Sequence, residues 1–283
     1  ALSYLEKATR LSPGFAEGWS GYGSALFALG QTEEAIKAFD KALELDPAFV
    51  KAWANKATAL MKAGRTPMAL LALDKATELK PDYEKAWVDK GNILMSVGKM
   101  DDALPCFNKA LAINARGEKT WLAVGQTLLA MGKTKEAVAA LDKALGIRSD
   151  NEKTWLEKGN ALHALNNNDG AIQAYNKAIE LKPDLFKAWF GKGVAYSDLA
   201  EYDDALESLN RAVELKPDDD KAWVEKGRAL TFTGRIEEAS GALAKALELN
   251  RGNPQAWYYS AQLLKRAGAL EDALGAFDKA LDA

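Results

Sequence analysis

The sequence contains almost none of the residues on which catalytic and metal chemistry usually depend. Its 283 residues include one cysteine, Cys106, and one histidine, His163. A single thiol excludes an intrachain disulfide and a thiolate metal cluster, and a single imidazole excludes a zinc site of the HExxH type. We therefore expect no catalytic residue, no bound metal and no cofactor, and the chain is predicted not to be an enzyme.

An excess of positive charge and long apolar runs are also missing. The 37 Lys and Arg residues are balanced by 40 Asp and Glu residues, which gives a net charge of −3. This balance provides no positive field that would gather nucleic acid or anionic membrane. Apolar runs are short, as in Ala69–Leu73, whereas a membrane-spanning helix needs roughly 20 apolar residues. Neither nucleic-acid binding nor membrane insertion is expected.

Tryptophan, by contrast, recurs at a constant spacing. The eight tryptophans are each 34 residues apart: Trp19, Trp53, Trp87, Trp121, Trp155, Trp189, Trp223 and Trp257. A fixed period of this length indicates a repeat protein. Positions within a repeat are numbered below from its tryptophan, which is position 0.

The residues around each tryptophan predict two helices per repeat. Position +4 is Gly or Ala and position +7 is Leu or Tyr, and the spacing 0, +4, +7 follows one face of a helix. Positions +16 and +23 are always Ala and +20 is Phe, Leu or Tyr, which marks a second helical face; Ala1 and Ala8 continue the two alanine rows upstream. Position +11 is mostly Gly or Asn, residues that tolerate the left-handed backbone ending a helix.

This pattern, with Pro at +28 in several repeats, resembles the tetratricopeptide repeat along essentially the whole chain. The resemblance implies an all-α, right-handed superhelical solenoid of antiparallel helix pairs, with eight 34-residue repeats after a leading half-repeat. The expected segments are 1–15 for the second helix of a truncated repeat, then 16–49, 50–83, 84–117, 118–151, 152–185, 186–219, 220–253 and 254–283 for repeats 1 to 8.

Two features depart from the family pattern. Lysine occupies +3 in five repeats, where the family usually has an apolar residue, and we expect its stem to lie on the core edge with the ammonium in water. Pro105 lies inside a predicted second helix and is expected to distort its first turns. At the ends, Ala1 falls within a second helix and no polar capping helix follows Ala283, so we expect flanking sequence or end-to-end contact between chains.

The resemblance also implies a binding surface, because in this family the first helices line a concave groove that receives an extended peptide or a partner helix. Helical geometry places positions −2, +2, +5 and +9 opposite the core stripe, with +1 beside them. The predicted site residues are apolar at +1, amides at +5 and lysines at −2: Val88, Leu122, Leu156 and Phe190; Asn92, Gln126 and Asn160; Lys85, Lys119, Lys153 and Lys187.

Amides beside apolar residues suit an extended peptide, since amides can bond its backbone while pockets hold its side chains. The lysines could attract an acidic partner. In the alternative interpretation the +1 residues only pack between first helices, the amides are merely solvated, and lysines form pairs such as Lys85–Asp89. Replacing Asn92, Gln126 and Asn160 with alanine is expected to weaken binding without unfolding the chain.

The sequence therefore predicts a protein-interaction scaffold whose partners are proteins or peptides. One alternative is the substrate-selecting arm of a larger, glycosyltransferase-like enzyme whose catalytic part lies outside this chain. Another is self-assembly through the uncapped ends. The single thiol and the absence of an Asn-x-Ser/Thr sequon favour a cytoplasmic location.

Overall fold

The computed structural model of the chain is helical and describes residues 2–283, except for the side chains at 2, 3, 5 and 8. The expected continuation of the alanine rows at Ala1 and Ala8 lies outside the described residues. The first eight helices are α1 Leu2–Leu11, α2 Ala16–Ala28, α3 Thr32–Leu45, α4 Val50–Lys62, α5 Thr66–Leu79, α6 Glu84–Ser96, α7 Met100–Ile113 and α8 Glu118–Ala130. The others are α9 Thr134–Ile147, α10 Glu152–Ala164, α11 Asn168–Leu181, α12 Phe186–Asp198, α13 Tyr202–Leu215, α14 Asp220–Thr233, α15 Ile236–Leu249, α16 Pro254–Arg266 and α17 Leu270–Asp282.

The chain divides into two compact units, unit 1 of residues 1–133 and unit 2 of residues 134–283. Within unit 1, α2 packs on α3, α4 on α5, and α6 on α7. Within unit 2, the corresponding pairs are α10 with α11, α12 with α13, α14 with α15, and α16 with α17. No strand occurs in residues 2–283, and the predicted all-α fold of consecutive helix pairs is confirmed.

The turn between the two helices of a repeat has a left-handed residue at +11, as predicted. Gly30 has a φ of 83° and Asn166 has a φ of 58°. Ala200 adopts the same conformation, with a φ of 62°, although a Cβ makes it costly. The packing of the two helices therefore fixes this turn even where the local residue disfavours it.

Each tryptophan also bonds the turn that connects it to the preceding repeat. All eight indole Nε1–H groups donate to a backbone carbonyl six residues earlier, at 2.8–3.0 Å. The accepting residues are Pro13, Pro47, Pro81, Ala115, Ser149, Pro183, Pro217 and Arg251. These are the +28 positions, so the bond forms whether or not proline is present.

The seam between paired helices has no spare room. The alanine at +16 is at most 3% exposed in all eight repeats. In unit 2, a Cβ added to Gly193 would lie 2.6 Å from Leu209 Cγ and 3.3 Å from the carbonyl oxygen of Ala205. The small residues therefore allow the two backbones to approach closely.

Pro105 was expected to distort the first turns of its helix, but it does not break α7. This helix is continuous over 14 residues, the same length as α5. Proline removes the hydrogen bond from its own nitrogen to the carbonyl of residue i−4 and crowds that carbonyl with its ring, and residue i−4 here is Asp101 in the first turn. Packing of α7 on α6 retains the helix despite that loss.

The ammonium groups of the lysines at +3 were expected to lie in water. This expectation is wrong for three of them, because each of the three pairs with an aspartate. Lys56 pairs with Asp40, Lys90 with Asp74 and Lys158 with Asp142, each at 2.6 Å. All five ammonium groups also lie 5.1–5.5 Å from the ring centre of their own tryptophan, within cation–π range. In the three pairs a second helix is thereby linked to the first helix of the next repeat.

Lys226 provides a test of this arrangement, because Asn210 stands 16 residues before it, where Lys56, Lys90 and Lys158 have an aspartate. Burial lowers the pKa of Lys226 by disfavouring its charged form. The unfolded chain then binds that proton more tightly, so stability should rise as the pH rises through the lowered pKa. We expect Lys226→Met to increase the free energy of unfolding at pH 7 by up to about 1 kcal/mol.

Lys158→Met is the matched comparison, since it removes an ammonium paired with Asp142. Its free energy of unfolding should fall by up to about 1 kcal/mol. Urea unfolding followed by circular dichroism measures both variants. Shifts of the same sign and size for Lys158→Met and Lys226→Met would contradict the assigned role of the aspartate.

Candidate peptide-binding surfaces

In unit 1, the face of α4 and α6 opposite the core stripe contains a small concavity. Its volume is about 230 Å³, and its lining residues are Thr58, Met61, Leu73, Asp89, Asn92, Ile93 and Ser96. Leu73 and Ile93 are buried, which makes the floor apolar, whereas Asn92 is exposed. An apolar floor with a few polar groups is the usual construction of a binding pocket.

The polar groups at this concavity differ in how far they are already bonded. The hydroxyl of Thr58 donates to the Ala54 carbonyl at 3.2 Å, and that of Ser96 donates to the Ile93 carbonyl at 2.7 Å. Asp89 accepts from Lys85 at 2.5 Å. The Asn92 carboxamide is therefore the lining group best placed to bond a ligand at this site.

The four predicted apolar residues at +1 are not equally accessible. Leu122 in unit 1 and Leu156 in unit 2 are each 7% exposed, so a ligand could reach little of either side chain. Val88 and Phe190 are half-buried, and Phe190 stacks on Phe186 with ring centres 5.9 Å apart. Ligand contact by these residues stays a prediction, and the packing alternative accounts best for the two leucines.

The four predicted lysines are all exposed: Lys85, Lys119, Lys153 and Lys187. Lys85 forms the expected ion pair with Asp89. Lys221 also has an acidic residue four positions later, Glu225, but Glu225 pairs with Arg228 at 3.2 Å. The lysine at −2 is thus a solvated residue whose pairing depends on its repeat.

In unit 2, the amide at +5 is bonded from within its own repeat. The hydroxyl of Tyr175 on α11 donates to Oδ1 of Asn160 on α10 at 3.0 Å. Asn160 is exposed, whereas Tyr175 is 2% exposed. Gln126, the predicted amide of α8 in unit 1, is half-buried. The predicted amides therefore differ in exposure and in bonding.

A charged network on the first helices of unit 2 was not predicted. Nε2 of His163 lies 2.9 Å from Asp198, and Arg228 donates to Asp198 at 3.0 Å and to Glu225 at 3.2 Å. Burial raises the pKa of Glu225. The network links α10, α12 and α14. The sequence does contain a sign of this network, because Arg228 is a charged residue at +5, where most repeats have an uncharged polar residue.

The side chains that could support nucleophilic chemistry are placed unfavourably for it. The Cys106 thiol is 5% exposed and donates to the Asp102 carbonyl at 3.4 Å. Burial raises its pKa, which disfavours the reactive thiolate. Among residues 2–283, no group of three His, Cys, Asp or Glu side chains could hold a metal ion. No described helix combines the length and apolar character needed to cross a membrane.

Comparison with known protein families gives consistent matches along the chain. Tetratricopeptide repeat models match residues 50–83 and 118–151, residues 84–116 and 186–219, and residues 224–283. A further TPR repeat model matches residues 23–64 and 159–200. No curated protein sequence matches the chain significantly.

Solved structures with the same fold include a peptide-binding protein. YrrB, described as a TPR protein with an unusual peptide-binding site, is 25% identical and has a TM-score of 0.59, over 66% of this chain and 96% of its own. PilF of Pseudomonas aeruginosa is 16% identical with a TM-score of 0.65, over 77% of this chain and 98% of its own. The anaphase-promoting-complex assembly Cut9–Hcn1 is 18% identical with a TM-score of 0.62, over 94% of this chain and 52% of its own.

PilF is 16% and Cut9–Hcn1 18% identical to this chain, so their similarity shows a shared fold and nothing more. The family models, however, together match most of the described chain, and they match the same 34-residue pattern that the tryptophans mark. The chain belongs to the tetratricopeptide repeat family.

Proposed function

We propose that the chain is a protein-interaction scaffold that binds an extended peptide on the first-helix face of each unit, without catalytic chemistry. The observation on which this rests is the concavity of unit 1, where the exposed Asn92 stands beside an apolar floor. Its volume of about 230 Å³ suits one apolar side chain of a ligand. The peptide-binding description of YrrB supports the same class of function.

In this proposal the ligand contributes two features to unit 1. An apolar side chain fills the concavity between α4 and α6, and the neighbouring backbone amide bonds the carboxamide of Asn92. A preformed pocket lowers the ordering cost on the protein side of the interface. Cytoplasmic location, end-to-end self-association and the absence of nucleic-acid binding stay predictions from the sequence.

The test uses random 12-residue peptides displayed on phage and selected against the whole chain. Selected peptides are then labelled with fluorescein, and their Kd is measured by fluorescence anisotropy. We expect Asn92→Ala to weaken binding of a class of these peptides about two- to tenfold, the value of one hydrogen bond. Thr58→Leu should weaken the same class, because the larger side chain occupies the concavity.

Asn108→Ala is the matched control, since it removes an exposed amide from the second helix α7 of the same unit. Its peptide affinities should equal those of the wild type. The proposal for unit 1 fails if every selected peptide binds Asn92→Ala and Thr58→Leu as tightly as it binds the unmodified chain.

A further inference from the structure

Tyr175 is held in one position by two glycines from neighbouring first helices. A Cβ added to Gly159 on α10 would lie 2.5 Å from Cε1 of its ring, and one added to Gly191 on α12 would lie 2.6 Å from Cζ and 2.9 Å from the hydroxyl oxygen. The ring is 2% exposed, and it packs directly against the backbone of both glycines. Its hydroxyl is thereby fixed against Oδ1 of Asn160.

The direction of this hydrogen bond follows from the chemistry of the phenol. Burial, and next the negative charge of Glu157, raise the pKa of Tyr175 well above its ordinary value, so the phenol keeps its hydrogen. A buried O–H that lacks an acceptor costs about 1–3 kcal/mol. The carboxamide NH₂ cannot accept, so Oδ1 of Asn160 must face Tyr175, and the NH₂ group faces away from it.

Repeat 3 provides the contrasting arrangement within the same chain. Asn92 occupies the position of Asn160, but Phe107 occupies that of Tyr175. Phenylalanine has no hydroxyl, so nothing at this position orients the Asn92 carboxamide. In the following repeat, Ala123 stands where unit 2 has Gly191. Repeat 3 and the repeat that follows it therefore lack both the hydroxyl and the glycine that makes room for it in unit 2.

We propose that Tyr175 is a positioning residue that fixes the orientation of the Asn160 carboxamide, so that its NH₂ group donates to a backbone carbonyl oxygen of an extended peptide at α10 on the first-helix face of unit 2. This inference rests on the proposed function. The selected ligand residue needs no backbone N–H at that point, so proline or an N-methylated residue is accepted there.

The orientation of the Asn160 carboxamide is tested first, in the absence of a peptide. The Tyr175 hydroxyl proton should give a slowly exchanging proton NMR resonance in the wild type, because it donates to a buried acceptor. The resonance should disappear in Asn160→Ala and persist in Asn160→Asp, since a carboxylate still accepts. Absence of the resonance from Tyr175→Phe assigns it to the Tyr175 hydroxyl. Its persistence in Asn160→Ala would overturn the assigned hydrogen bond.

The selection is tested with the phage-selected, fluorescein-labelled peptides whose Kd rises in Asn160→Ala. Asn160→Asp keeps the acceptor for Tyr175 but removes the NH₂ donor, and it should weaken those peptides at least as much as alanine does. Tyr175→Phe should weaken them about two- to tenfold. The double variant Asn160→Ala with Tyr175→Phe should bind no more weakly than Asn160→Ala alone, because the two residues act through one bond.

Tyr196→Phe is the matched control, because it removes a phenol hydroxyl of unit 2 that is not bonded to Asn160. Unchanged binding by Tyr175→Phe, where Asn160→Ala weakens the same peptide, would overturn the positioning role and leave the proposed function intact. If no selected peptide responds to Asn160→Ala, the peptide site of unit 2 is itself wrong, and the inference is overturned with it. If Tyr175→Phe fails to fold, tight binding by Asn160→Asp overturns the proposal.

Discussion

Replacing Trp53 with alanine is expected to lower the free energy of unfolding by about 3–5 kcal/mol, the range for large core truncations. The indole packs against the core cluster that contains Phe39 and Leu73. Its Nε1–H donates to the Pro47 carbonyl at 2.9 Å, and the Lys56 ammonium lies 5.2 Å from the ring centre. Alanine opens a cavity and removes both polar contacts. Urea unfolding followed by far-ultraviolet circular dichroism measures the loss.

Trp53→Phe separates packing from hydrogen bonding in the same experiment. Phenylalanine retains much of the apolar contact but cannot donate to Pro47, so we expect a loss of about 1–3 kcal/mol. Met68→Ala is the surface control, because Met68 on α5 is 57% exposed and should change stability by no more than about 0.5 kcal/mol. A Trp53→Ala effect no larger than that of Met68→Ala would refute the role of the indole. Trp121, which donates to Ala115, should behave as Trp53 does.

The second large effect is expected from Ala205→Leu, which should destabilise the chain by about 3 kcal/mol, the upper end for overpacking. Ala205 on α13 is fully buried, and its carbonyl oxygen lies 3.3 Å from the point where a Cβ on Gly193 would stand. A leucine side chain there must push α13 away from α12. The same urea unfolding experiment measures the change.

Ala164→Leu makes the same substitution at an exposed position of α10. It should change the free energy of unfolding by no more than about 0.5 kcal/mol. Equal losses in the two variants would mean that the alanines at +16 are not required by close helix packing. A loss confined to Ala205→Leu assigns the effect to the seam.

Sequence periodicity predicted the helices and their turns because each repeat has the same local chemistry at the same positions. The left-handed residue at +11 follows from Gly30 and its counterparts, and the buried alanines follow from the second helical face. Periodicity also predicted which side chains lie opposite the core. It could not predict the concavity at Asn92, since that depends on how closely α4 and α6 approach one another.

The ion pairs of the lysines at +3 could not be predicted from helical periodicity. The lysines at +3 were expected to be solvated, because a helical face indicates only a direction relative to the core. Lys56 and Asp40 belong to different repeats, and their 2.6 Å contact depends on how those repeats stack. A co-occurrence was present in the sequence, since an aspartate stands 16 residues before Lys56, Lys90 and Lys158, and it would have indicated the pairing.

The sequence alone determined that this chain is a series of two-helix repeats with a polar row on its first helices. Tertiary structure decided which members of that row are bonded already, as in Asn160 with Tyr175, and which border a concavity, as in Asn92. The physical reason is distance. A hydrogen bond or a pocket depends on positions within a few tenths of an ångström between residues far apart in the chain, whereas a helical period depends only on the order of residues along it.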